Sequence, residues 1–255
     1  MFFKNKLKIA ILVENWVCDI WLKWEWGLSM FIEFNWTKIL WDTWGTWIFL
    51  ENAKKMNINL QKIDTIVLSH YHNDHTGWIK NTNFADNKKI IAHPRVFKEV
   101  WHQIKWNYKK IESSWVYKIS DEIYFLWEIK RTTDFEKWKY WKDEMLDDTA
   151  IAIKTKKWLV VVAWCSHSWI VNICEYAKKV CNEEKIYGLI WWFHLLKIVW
   201  DDHSSDEQIE ETIKYLKQEK IEKLYPMHCV DFEILSKMDS EIWIKKLYTW
   251  DIVEF

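Results

Sequence analysis

Ser69-His70-Tyr71-His72-Asn73-Asp74-His75-Thr76-Gly77 follows directly on the apolar run Thr65-Ile66-Val67-Leu68, and its reading decides the rest of the chain. The apolar run is a short buried strand. Three histidines and an aspartate packed into its end are placed by a rigid element to supply ligands to one or two metal ions. Imidazole nitrogens with one carboxylate suit zinc, manganese or iron better than calcium or magnesium. Solvated loop histidines are the bland alternative, but the spacing His-x-His-x-Asp-His is too dense for chance to be the better account. Later histidines also stand at the ends of expected strands: His167 after LVVVAWCS, His194 after LIWWF and His228 after KLYPM. One such histidine is usually structural; three beside a metal motif point to one convergent site. Cys165 is a softer candidate ligand, with a small buried thiol as its ordinary reading. His93 and His102 read as surface or supporting residues. His203 reads as part of a helix entry capped by Ser204 or Ser205.

Strands are expected at 7–13, 28–34, 37–42, 64–69 and 89–93, then around TAIAIKT, LVVVA, IYGLI and KLYP, with closing strands at 246–254. Helices are expected near 47–56, after Pro94, and at about 170–181, 205–219 and 231–238. The dipeptide Asn35-Trp36 occupies a two-residue hairpin position where Asn-Gly is favoured. Strands and helices interleave, but hairpins occur in both halves. The fold class is therefore α/β (α+β), a four-layer αββα sandwich in preference to a doubly wound parallel sheet. One domain over 1–255 is expected, with an inserted lid at about 95–148, where periodicity weakens and charges accumulate.

The 255 residues carry a formal net charge of −1, which offers no electrostatic case for nucleic acid or an acidic membrane surface. No apolar run approaches the roughly 18 residues of a membrane span, and the basic start MFFKNKLK leads into a strand instead of a signal peptide. Five cysteines (Cys18, Cys165, Cys174, Cys181, Cys229) form no CxxC pair, so a reduced, cytoplasmic setting is expected. The expected partner is a small, anionic molecule, with homo-oligomers left open. Lys105, Lys109, Arg131 and Lys137 are candidates to hold it.

The pieces LSHYHNDHTG, IIAHPRVF, TDFE, AWCSHSWIVNI, LIWWFHLL and LYPMHC together resemble the metallo-β-lactamase superfamily. They are more closely similar to its dihydropterin–ribofuranosylaminobenzene phosphate synthase-like branch. The resemblance spans nearly the whole chain. It implies that His70, His72 and His167 hold a first metal, and that Asp74, His75 and His228 hold a second. It makes Asp42 a supporting group that orients a ligand histidine. Where the superfamily usually has a bridging aspartate this chain reads WWFHLL, so His194 or nothing takes that role. The implied activity is metal-dependent hydrolysis, zinc being the first choice and manganese or iron the others. A metal-bound water of lowered pKa would attack a phosphoryl, ester or lactone centre. Asp74 would hold the nucleophile and pass on its proton, and His194 would stabilise the developing oxyanion. The substrate implied is phosphorylated and pterin-like or ribosyl. An iron-dependent redox enzyme and an inactive metal-binding protein are the alternatives.

Composition departs from the ordinary in one respect. About 18 glycines are expected in a chain of this length; this one has 4, with 23 tryptophans. Where the family pattern calls for glycine, tryptophan often stands: Trp44, Trp78, Trp164, Trp169, Trp191, Trp192 and Trp250. This is the pattern of UGA codons that mean glycine being read as tryptophan. It carries a structural expectation. Several of these indoles will sit at positive φ, at about 1–3 kcal/mol of strain each, or crowd the site.

Overall fold

The computed structural model describes residues 6–17, 23–25, 27–84, 87–104, 107–136, 143–192, 195, 205–227 and 230–255. The backbone forms two compact units, residues 1–114 with 247–255 and residues 115–246.

The first unit is built on a seven-stranded sheet of β1 (Lys8–Val13), β2 (Ser29–Phe34), β3 (Thr37–Trp41), β4 (Thr65–Val67), β5 (Lys89–Ala92), β6 (Lys109–Glu112) and β13 (Ile252–Glu254). Their order is β13-β1-β2-β3-β4-β5-β6. The pairs from β13 through β3 are antiparallel; those from β3 through β6 are parallel. The β2–β3 hairpin turns at Asn35, whose φ of 55° is one that asparagine tolerates and most residues do not. Ala10, Leu12, Phe31, Leu40, Ile66 and Ile90 form the core of this unit. Against them pack Ile48, Phe49 and Ala53 of α1 (Ile48–Lys55) and Val96, Phe97 and Val100 of α3 (Pro94–Val100). Both helices show the three- and four-residue spacing of a single apolar face. Between β4 and β5 lies a single helical turn, α2 (Asn73–Thr76).

The second unit is a six-stranded sheet in the order β12-β11-β10-β9-β8-β7. Its strands are β7 (Tyr117–Lys118), β8 (Ile123–Phe125), β9 (Ala150–Lys154), β10 (Leu159–Ala163), β11 (Ile186–Trp192) and β12 (Lys223–Met227). β7 through β10 pair antiparallel, and β10, β11 and β12 pair parallel. Of these, β10 (LVVVA) is a fully buried aliphatic run, the pattern of a strand covered on both faces, whereas β11 (IYGLIWW) and β12 (KLYPM) mix aromatic and aliphatic residues. Helices α4 (Ile170–Cys181), α5 (Asp206–Glu219) and α6 (Phe232–Glu241) complete the unit. Ile170, Ile173, Cys174 and Ala177 of α4 join Ile209, Ile213 and Leu216 of α5 in its core. Ser205 caps α5, its hydroxyl accepting from the Gln208 amide at 3.1 Å.

The expected helices are present and so are the expected strands, except that of the closing strands at 246–254 only β13 forms; the fold class is as expected: mixed α/β with two sheets and six helices among the described residues. The region expected as an inserted lid contains regular elements in its first part. Residues 95–125 contain most of α3 and the strands β6, β7 and β8, which extend the two sheets instead of standing apart from them. These strands are two to four residues long, and β6 reads Lys-Lys-Ile-Glu with three of its four side chains exposed. β6 and β7 are edge strands, and a short, charged edge such as β6 protects a sheet from further pairing while erasing the alternation by which a strand is recognised.

Ile66 lies fully buried in β4, between two parallel neighbours. Ile66→Ala is expected to lower the unfolding free energy by about 2–5 kcal/mol, read as a drop in the urea midpoint. Lys62→Ala, at an exposed position just before the strand, should shift it by less than about 0.5 kcal/mol.

Candidate metal centre

The histidine motif begins two residues beyond the end of β4. His72 precedes α2, and its carbonyl accepts from the amides of His75 at 3.0 Å and Thr76 at 3.1 Å, which closes the single turn. Gly77 ends it: a β-carbon there would stand 2.6 Å from the Asn73 carbonyl, so only glycine fits. This short frame turns three imidazoles toward one another. The rings of His70 and His75 are 4.0 Å apart and those of His70 and His72 are 4.6 Å apart, centre to centre.

The nitrogens that face one another have the spacing of metal donors. His70 Nε2 lies 3.1 Å from His72 Nδ1, and adjacent corners of a tetrahedron with bonds of about 2.0–2.1 Å are about 3.3 Å apart. His75 Nε2 lies 3.4 Å from Asp74 Oδ2, giving a second pair of donors at a similar distance. The opposite nitrogens are held from behind. The Asp42 carboxylate, fully buried, accepts from His75 Nδ1 at 2.8 Å, from the Ser69 amide at 2.8 Å and from the Ser69 hydroxyl at 2.6 Å. The Ser69 hydroxyl is in turn 2.9 Å from His70 Nδ1. With Nδ1 of His75 engaged by Asp42, its Nε2 is the nitrogen left to face Asp74 and, once it gives up its proton, to bind a metal. The donor set therefore fits a divalent metal.

Charge follows the same geometry. Burial pushes the Asp74 carboxyl upward, but the facing His75 ring, with His72 behind it, outweighs burial and holds the group well below the usual carboxylate range. Burial pushes His75 down, yet Asp74 and Asp42 together raise it to about 9. Asp42 is raised by its own burial, which its bonds from His75 and Ser69 only partly offset.

In the second unit His167 lies in the turn between β10 and α4, almost fully buried, with the buried Cys165 sulfur within 4.8 Å of its ring nitrogens. Arg131 Nη2 donates to the His167 carbonyl at 2.9 Å and to the Glu144 carbonyl at 2.8 Å, so this arginine braces the turn. Asp148 accepts from the Ser168 amide at 3.0 Å. Glu136 accepts from the amides of Val171 and Asn172 at 2.9 and 3.0 Å, and so caps α4 from a distant stretch of chain. The Asn172 side-chain oxygen accepts from the amides of Thr132 and Thr133, closing the reciprocal tie. Burial lifts the Glu136 carboxyl to about 7 against those bonds, and lifts Asp148 to about 6 against its bond from Ser168.

His194 and His228 lie outside the described residues, as do Lys105 and Lys137. Lys109 is exposed on the edge strand β6. His93 accepts from the Arg95 amide at 3.2 Å and caps α3. Ser69, Glu136, Asp148 and Asn172 were not among the residues singled out from sequence. Ser69, Glu136 and Asn172 lie in the pieces LSHYHNDHTG, TDFE and AWCSHSWIVNI, which was the one signal for them; Asp148 had none, and all act through bonds to chain 20 to 40 residues away.

The family model of the metallo-beta-lactamase superfamily matches residues 26–146. The chain is 29% identical over 295 aligned positions to the 7,8-dihydropterin-6-methyl-4-(beta-D-ribofuranosyl)-aminobenzene-5'-phosphate synthase of Methanocaldococcus jannaschii, covering 98% of this chain and 97% of that protein. Among solved structures, a metal-dependent hydrolase of the beta-lactamase superfamily superposes with a TM-score of 0.79 at 22% identity, over 97% of this chain and 98% of its own. The metallo-beta-lactamase fold protein YhfI of Bacillus subtilis superposes at 0.66 with 15% identity, over 98% and 100%.

Two outcomes are expected. Asp42→Asn should weaken zinc binding about 10–100-fold, measured by competition with a chromophoric chelator, while circular dichroism stays native. Glu136 ionises near pH 7 when folded, against an ordinary 4.5. The folded state therefore holds the extra proton between those values, and stability falls as pH rises through that window. Glu136→Gln should flatten this decline in urea midpoints recorded from pH 4.5 to 8.

Proposed function

From the metallo-β-lactamase fold that this chain carries, we propose that it is a divalent-metal-dependent hydrolase or group-transfer enzyme acting on a small phosphorylated substrate. The observation that carries the reading is the 3.1 Å approach of His70 Nε2 to His72 Nδ1, beside a His75 ring held by Asp42. His70 and His72, with His167 by resemblance, would hold one ion; Asp74 and His75, with His228 by resemblance, would hold a second. Zinc suits this nitrogen-rich set best, with manganese or iron next. When bound, such an ion supplies Lewis acidity and lowers the pKa of water toward neutrality.

The chain's own groups do the rest. Asp74 stays ionised at neutral pH and its side chain is 36% accessible, so a substrate or water can reach it. It accepts a proton from the attacking group and returns one to the leaving group. The buried pair Asp42–His75 holds the His75 ring in one orientation, with Nδ1 turned to the carboxylate and Nε2 toward Asp74. The Methanocaldococcus jannaschii relative is named for a phosphorylated ribofuranosyl–pterin product, which supports a phosphorylated, pterin-like or ribosyl substrate here. Among the described residues no helix is long and apolar enough to cross a membrane; a cytoplasmic setting is part of the proposal.

The test loads the purified chain with zinc, manganese or iron and follows hydrolysis of p-nitrophenyl phosphate, bis(p-nitrophenyl) phosphate and a simple lactone. Asp74→Ala should lower kcat by about 10²–10⁴-fold, and His72→Ala should lower bound metal measured by elemental analysis. Metal content and turnover that are indifferent to both substitutions would overturn the reading.

A further inference from the structure

Independently of the function proposed above, we infer that Trp44, Trp127, Trp169 and Trp250 occupy positions built for glycine, and that the chain made by its source carries glycine there. Their φ angles are 57°, 62°, 66° and 88°. That is the left-handed region, where a β-carbon meets the backbone and where a bulky aromatic is an outlier. Twelve described residues other than glycine have positive φ; four are tryptophan, as many as the asparagines at 35, 57, 87 and 182. Asparagine tolerates this conformation because its short amide bonds locally. Tryptophan has no such reason to be there.

Each of the four stands where the chain reverses. Trp44 lies between β3 and α1, and its carbonyl accepts from the Trp78 amide at 2.6 Å. Trp127 follows β8. Trp169 immediately precedes α4, with φ 66° and ψ 144°, a pairing that glycine alone adopts at ease. Trp250 closes the turn into β13, its amide donating to the Ile11 carbonyl at 2.8 Å. At Trp44, Trp169 and Trp250 the backbone itself is hydrogen-bonded to other parts of the chain, contacts that need no side chain. The Trp44 ring is pressed against Gly27 so closely that a β-carbon on that glycine would fall 1.3 Å from ring carbon Cζ3. Among the described residues no other tryptophan has a positive φ. Trp47 and Trp78 have φ of −78° and −90°, and Trp164 and Trp191 are absent from the positive-φ group. The backbone therefore singles out four positions, of which Trp127 was not expected from sequence. Glycine at these four positions would raise the count from 4 to 8, in the direction of the roughly 18 expected in a chain of this length.

Peptide mass spectrometry on the protein purified from its source tests this directly. Glycine in the peptides covering positions 44, 127, 169 and 250 is expected; tryptophan there overturns the inference. Recombinant protein provides a second measurement. Replacing a buried tryptophan by glycine ordinarily opens a cavity and lowers stability. W44G/W127G/W169G/W250G should instead melt at a higher temperature than the chain bearing tryptophan. W41G, at a buried position in the extended strand β3, should melt lower. A quadruple variant that melts below the parent overturns the inference.

Discussion

The Asp42 carboxylate is the contact on which the first unit's candidate site depends. It sits at the end of β3, held by its amide to the Val67 carbonyl at 2.9 Å and by its own carbonyl, which accepts the Ser29 hydroxyl at 2.9 Å. From there it accepts three bonds, two from Ser69 and one from His75. One buried group thus joins β2, β3 and β4 to both ends of the histidine motif. Burying an anion is costly unless it is fully hydrogen-bonded. Asp42 meets that condition only when Ser69 and His75 are in place, so the geometry of strand, turn and imidazole is set together.

Topology explains why such groups collect where they do. In the first unit Asp42, His70 and His93 each follow a strand of the parallel set β3, β4 and β5, at its carboxyl end. In the second unit His167 follows β10, which begins the parallel set β10, β11 and β12. Parallel strands place all their following loops at one edge of the sheet, which is where open α/β sheets gather ligands. The antiparallel half of each sheet carries no candidate ligand. His93 shares the edge but is committed to capping α3, which separates position from role.

The second unit holds its histidine differently. No single anion organises it. Instead Arg131, Asp148 and Glu136 each grip the backbone around His167 and the start of α4. The guanidinium that looked suited to an anionic substrate spends its Nη2 on two carbonyls. The positive φ of Trp169 lies in the midst of this bracing, and that of Trp44 lies two residues from Asp42. Both loops therefore depend on backbone conformations that a large side chain opposes.

The sequence by itself determined the interleaved order of strands and helices, because burial imposes periods of 2 and 3.6 that survive in the order of residues. It determined the histidine cluster as well, since the motif's ligands lie within six residues on one strand end. The unusual place of tryptophan was also legible, as a conflict between turn position and residue size. Tertiary structure alone decided the rest. Strands β6 to β8 are only two to four residues long, too short to show alternation, and β6 is a charged edge as well. Ser69, Asp148 and Asn172 act through hydrogen bonds across long stretches of chain, and no local pattern records such bonds. Which tryptophans are strained was decided by φ, a property of the folded backbone that side-chain sequence does not encode.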